Sequence, residues 1–198
     1  MISKPIVIKN TFILVIIMCL NLHSQALNKF IENKGQENET VVAKLKVPGG
    51  SIFFEKNNFL YSFYNQKQIK DKHNLLVKYD EIDAHSIKAE FIKSNKNVSI
   101  ELKNKSSYYH NYYYKNKLID NVELYDSIIY KNLYNGVDMR IYHSNEVKYE
   151  FIVSSNTKVN KIKIRYSGQN SIKLKNGNVI IETSVNTITE LKPYSYQI

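Results

Sequence analysis

Tyrosine is the side chain whose type and spacing say most about chemistry in this 198-residue sequence. Tyr108, Tyr109, Tyr112, Tyr113 and Tyr114 fall within seven residues, interrupted only by His110 and Asn111. Phenol faces stack on sugar rings or bases, and their hydroxyls reach polar partners. The stretch is therefore a candidate glycan-binding surface. On a strand it would alternate, with Tyr108, His110, Tyr112 and Tyr114 on one face and Tyr109, Asn111 and Tyr113 on the other. The competing reading buries one tyrosine-rich face in a core, which makes the stretch structural.

Other reactive groups form no recognisable constellation. Asp83, Asp126, Asp138 and Glu150 sit among apolar residues and are the acids best suited to a glycosidase-like pair, which leaves no local signature. His73, His85, His110 and His143 are far apart and lack the i,i+2 or i,i+4 partners of a zinc motif. Asp83-Ala84-His85 places two polar groups on one strand face, and a hydrogen-bonded structural histidine is the simpler reading. There is no Gly-x-Ser-x-Gly elbow. Asp126-Ser127 has no histidine nearby in sequence, and Asp126-Ser127-Ile128 fits a simple acceptor pattern for O-linked glycosylation of exported proteins. No cofactor, metal site or reaction is expected, and the chain reads as a non-enzyme.

The first 26 residues supply a location. Lys4 and Lys9 precede the apolar run Phe12–Leu20, and Ser24-Gln25-Ala26 ends in small residues suited to signal peptidase. The run is shorter than the roughly 20 residues a bilayer span needs. An uncleaved anchor is one alternative. A lipoprotein attached at Cys19 is another, although Met18 is bulky for that site. Cleavage after Ala26 leaves residues 27–198 as one β-rich domain without a transmembrane segment. It also removes Cys19, the sole cysteine, so disulfides and thiol chemistry go with it.

Loss of Lys4 and Lys9 lowers the net charge from +10 to +8. The cations are dispersed lysines, with Arg140 and Arg165 the two arginines. Nucleic-acid readers favour clustered arginine forks, so nucleic acid is not an expected partner. Solvated lysines on outer strand faces account for the charge, while weak attraction to an acidic surface polysaccharide stays open.

The elements that must position these residues are strands. Apolar and polar residues alternate over 41–47, 51–55, 59–64, 86–93, 98–103, 127–130, 138–143, 148–153, 161–166, 171–175, 179–183 and 187–191. Lys161-Ile162-Lys163-Ile164-Arg165-Tyr166 puts three apolar side chains on one face, and Ile172 and Leu174 repeat the pattern. All five are expected to face inward. Asn176-Gly177 signals a type I′ hairpin, and Asn135-Gly136 a similar turn. Pro48-Gly49-Gly50 separates the first two long strands. One helical turn is expected over 73–80. These features predict an all-β fold, either an antiparallel β-sandwich or an open barrel-like pair of sheets.

Several motifs occur in an order that resembles a known family. They are Phe30-Ile31-Glu32-Asn33-Lys34-Gly35-Gln36, Asn111-Tyr112-Tyr113, Tyr130–Asp138, Tyr149–Val153, Ile164–Gly168 and Glu190–Gln197. The set resembles the uncharacterised N-terminal β domain of secreted Bacteroidetes proteins. That domain precedes SBBP β-propeller repeats, PKD-like modules or gliding-motility-associated C-terminal sorting domains. The likeness covers residues 30–198. It implies a secreted or cell-surface interaction module, with surface polysaccharide or other envelope proteins as partners and no catalytic residues. It also implies that relatives continue beyond Gln197, so the chain reads as a shortened form lacking terminal strands. Structural roles are expected for the motif residues. Asn33 and Gln36 should satisfy entry-loop backbone groups, and Gly35 and Gly136 should supply unusual backbone conformations. Asp138 should brace the Asn135-Gly136 turn.

Overall fold

A computed structural model describes residues 29–74, 80–114, 116–144 and 146–196. The expected leader and its cleavage point lie outside these residues. The strands are β1 (Phe30–Glu32), β2 (Val41–Val47), β3 (Gly50–Glu55), β4 (Asn58–Tyr64) and β5 (Ala84–Phe91). They continue with β6 (Ser99–Tyr114), β7 (Lys117–Tyr134), β8 (Val137–His143), β9 (Val147–Val153) and β10 (Ile164–Ser167). β11 (Ser171–Lys175), β12 (Asn178–Glu182) and β13 (Thr187–Glu190) complete the set. Among the described residues one α-helix, α1, spans Gln66–His73.

β1 to β10 form one antiparallel sheet along the path β10-β5-β4-β3-β2-β1-β7-β8-β9, with β6 on the remaining edge of β7. The sheet curls into a half-barrel, the open-barrel alternative of the two expected architectures. β7 makes the bend. Its Leu124 and Tyr125 pair with β1, while Ser127–Tyr134 pair with β8 on the same edge. Phe91 on β5 and Tyr130 on β7 lie five steps apart along the path, yet their rings are 6.1 Å apart. Phe30, Phe54, Phe59 and Phe91 form an edge-to-face chain at 4.9–5.3 Å through the interior. This is the geometry that aromatic quadrupoles favour.

Period-two alternation builds that core. Val41, Ala43 and Leu45 of β2, Ile52 and Phe54 of β3, and Val137, Met139 and Ile141 of β8 are buried, with polar or less buried residues between them.

β11, β12 and β13 form a separate three-stranded sheet. Asn176 and Gly177 take φ of +54° and +83°, as a type I′ hairpin requires. At the β7–β8 turn only Gly136 is left-handed (φ +77°) and Asn135 is not, so that turn is of another type.

Four expectations need correction. The helix lies at 66–73, nucleated by Asn65, whose side chain accepts from the Gln68 amide (3.2 Å); part of the expected turn at 73–80 lies outside the described residues. Residues 98–103 and 127–130 are pieces of strands 16 and 18 residues long, because β-bulges carry both through polar interruptions. The segment 161–166 begins in a 3₁₀ turn (Val159–Lys161) and becomes strand only at Ile164. Finally, Ile162, Ile164 and Tyr166 pack against the core, but Ile172 and Leu174 are exposed. On β12 Ile172 lies opposite buried Ile181 and Leu174 opposite Val179, on the same face. β11 is an edge strand of the small sheet, so the face is as expected but the two side chains are left exposed there.

Candidate functional site

The tyrosine stretch lies on the distal half of the β6–β7 hairpin. The ladder pairs Tyr109 with Glu123, His110 with Val122, Tyr112 with Ile119 and Tyr113 with Leu118. Val122 and Ile119 belong to a small apolar cluster with Ile31 and Leu124, and Tyr112 packs against it. His110 and Tyr112 therefore take the inner face. Burial holds the His110 imidazole below its ordinary pKa, helped by Lys46, and raises the Tyr112 phenol, helped by Glu37.

Tyr109 and Tyr113 take the outer face, at 56% and 81% exposure. They are four strand residues apart, about 13 Å. Tyr108 (69%) and Tyr114 are also exposed. The expectation of a packed tyrosine-rich face holds for Tyr112 alone. The apolar cluster beneath the hairpin reaches Ile119, opposite Tyr112, and leaves Tyr113 and Tyr114 beyond it, while Tyr108 falls in the irregular stretch between Lys105 and Tyr109, and Tyr109 faces outward.

The hairpin's outer edge does not present a flat strand. The register shifts between Lys105 and Tyr109 and again between His110 and Tyr112. Asn104 and Asn121 are left-handed, at φ +58° and +51°, and the Asn121 amide donates to Asn111 Oδ1 (2.9 Å). Bulges of this kind prevent a second chain from adding as a strand. Near the base, Tyr125 donates to Glu123 Oε2 (2.6 Å), which together with burial lifts its phenol pKa to about 12.

The motif residues do structural work. The Asn33 side chain donates to the Asn38 and Val41 carbonyls (2.7 and 2.9 Å) and accepts from the Gly35 and Glu37 amides (2.9 and 3.1 Å). Gln36 accepts from the Lys34 amide (2.8 Å) and donates to the Glu32 carbonyl. Gly35 has φ +104°. Asp138 does not brace the Asn135-Gly136 turn. It accepts from the Asn132 amide and the Lys131 ammonium, both at 2.7 Å. It thereby fixes a bulge at Asn132, whose φ is +56°. Burial alone would raise the Asp138 carboxyl, but these two donors outweigh it and hold the group below its ordinary range.

Each of the four singled-out acids has its own partner, and Asp138 of β8 and Glu150 of β9 share a face of adjacent strands. Asp83 accepts from Gln68, Asp126 from Lys29, Asp138 from Lys131, and Glu150 pairs with Arg140 (3.5 Å). Ser127 is 3% exposed in the middle of β7, which excludes it as a glycan acceptor in the folded chain. His85 is structural: Nε2 donates to the Gly168 carbonyl (2.7 Å), so Nδ1 accepts from the Ser184 amide (3.2 Å). His73 is exposed at the end of α1, and His143 Nδ1 is buried without a hydrogen-bond partner. Among the described residues no group of three or more His, Cys, Asp or Glu could hold a metal ion, and no helix is long and apolar enough to cross a membrane.

One cluster escaped the sequence. Glu190 of β13 accepts from Tyr149 of β9 (3.0 Å) and Tyr166 of β10 (2.5 Å), joining the two ends of the long sheet path. Tyr61 of β4 lies within its field. Burial first, then the Glu190 charge, pushes all three phenols above their ordinary pKa. Four residues from four strands leave no local pattern to find.

Fold and surface together define a β module, a half-barrel with a small second sheet joined to it through Glu190, and carrying an exposed aromatic hairpin. Over residues 30–198 the chain matches, and belongs to, a family described as a domain of unknown function, DUF7948. This agrees in extent and in uncharacterised status with the resemblance drawn from the motifs. No curated protein and no solved structure matches it.

Proposed function

We propose that this chain is the non-catalytic interaction module of an exported protein, secreted or held at the cell surface, and that it binds extended polysaccharide through the β6–β7 hairpin. The observation that carries the reading is the exposure of Tyr108, Tyr109 and Tyr113 on a ribbon whose bulged edge resists strand addition. Stacking on sugar rings needs aromatic faces held apart on a stiff element and open to solvent, which this hairpin provides. The separate engagement of the acids with lysine, arginine or glutamine supports a binding role over hydrolysis. Export rests on residues 1–26. Attachment to SBBP repeats or a gliding-motility-associated sorting domain rests on the motif resemblance.

The test is retention of purified 27–198 on insoluble polysaccharides, with the Tyr109→Ala/Tyr113→Ala variant as control. Binding by the parent and loss in a folded variant is the expected outcome. Equal retention of both, or turnover of any glycan in a hydrolase screen, would refute the reading. Mass spectrometry of the envelope or secreted fraction should find Leu27 at the N-terminus; an intact Met1 in the cytoplasm would refute export.

A further inference from the structure

The chain is basic, and a basic exported protein invites an acidic polysaccharide as ligand. The hairpin does not carry that basicity. Residues 99–123 hold four lysines and three acids, a net +1, while 27–198 carries +8. The hairpin thus has no more than its proportional share. Two of its four lysines are also engaged locally. Lys103 pairs with Glu101 (2.7 Å) and Lys105 with Glu123. Lys34, from the neighbouring loop, donates to the Asn121 carbonyl (2.8 Å) and lies 3.5 Å from Glu32. An anionic chain would have to displace these carboxylates, and surface ion pairs with a polymer are screened by salt. Ring stacking by Tyr109 and Tyr113 meets neither obstacle.

From this we infer that the ligand is a neutral polysaccharide, held by stacking on the outer-face tyrosines Tyr109 and Tyr113 and not by lysine contacts. The inference rests on the polysaccharide reading above and narrows it to one chemical class. Affinity electrophoresis of 27–198 through gels containing a neutral glucan or an acidic uronate polymer, with the ionic strength raised from about 50 to about 500 mM, tests it.

The neutral glucan should retard the protein, and its apparent affinity should change less than about twofold with salt. Tyr109→Ala/Tyr113→Ala should weaken it about tenfold or more, and Lys103→Gln/Lys105→Gln less than about twofold. Both variants are first shown to keep the parent's thermal midpoint. Retardation only by the acidic polymer, abolished by salt or by the lysine changes, would overturn the neutral assignment while leaving polysaccharide binding intact. Retardation by neither polymer would overturn both.

Discussion

Two tyrosines of this chain illustrate how burial decides what a residue does. Tyr130 is fully enclosed against Phe59 and Phe91, and its hydroxyl donates to the Glu55 carbonyl at 2.7 Å. Tyr113 stands in solvent. Tyr130→Ala should cost about 3–5 kcal/mol in a urea titration, whereas Tyr113→Ala should cost within about 0.5 kcal/mol. Tyr130→Phe isolates the hydrogen bond and should cost about 1 kcal/mol. A comparable loss for Tyr113→Ala would mean the hairpin tyrosines are packed after all. Glu190→Gln exchanges one acceptor oxygen for an amide group facing a tyrosine hydroxyl, and should destabilise by about 1–2 kcal/mol. The sequence showed the tyrosine cluster plainly. Which of its rings would be covered depends on where the core beneath them stops, and no local pattern encodes that.

The hairpins are the elements best encoded locally. Pro48-Gly49 and Asn176-Gly177 mark turns by backbone chemistry alone, and the flanking alternation sets the register of β2, β3, β11 and β12. Gly50 shows why a turn residue can matter beyond the turn: a Cβ there would overlap the Ser62 carbonyl oxygen of β4 and the Phe63 ring. Gly50→Ala should lower the thermal midpoint by several degrees, equivalent to about 2 kcal/mol or more, even though alanine costs less backbone entropy in a strand than glycine. A midpoint unchanged within error would show that β3 and β4 can separate at that edge. The long strands were harder to read. β6 and β7 pass through left-handed Asn104, Asn121 and Asn132, the last two at bulges, and in sequence such asparagines look like ends of strands. Ile172 and Leu174 misled for the opposite reason: alternation reports a face, but not whether a neighbour covers it.

For the whole molecule, the all-β character was legible, because alternation and turn signals recur throughout, and it left a sandwich and an open barrel as alternatives. The curl was not. It depends on Phe91 meeting Tyr130, and on Glu190 joining β9 to β10. The buried phenols also give the molecule an alkaline limit. Tyr61, Tyr130, Tyr149 and Tyr166 all have raised folded-state pKa values, while an unfolded tyrosine ionises near about 10. The unfolded chain therefore loses protons first as the pH rises. Stability present below about pH 10 should decline above it. Urea midpoints should fall between about pH 9 and pH 11, and Tyr149→Phe/Tyr166→Phe should flatten that decline. A midpoint independent of pH over this range would contradict the assignment.

β1 sets the order in which the molecule can be assembled. Its three residues occupy an interior place between β2 and β7, with Phe30 opposite Leu45 on one side and Tyr125 on the other. Phe30 and Ile31 are among the first described residues to leave the ribosome, but their second partner follows 95 positions after Phe30. Until then the half-barrel has no central strand in place, and two large apolar side chains lie open beside the β2–β3 hairpin. Pairing across so long a loop is slow. A nascent chain stopped short of residue 125 should stay sensitive to protease along β1 to β5, and protection should appear together once β7 has emerged. The first of the described strands to be made is thus among the last to be enclosed.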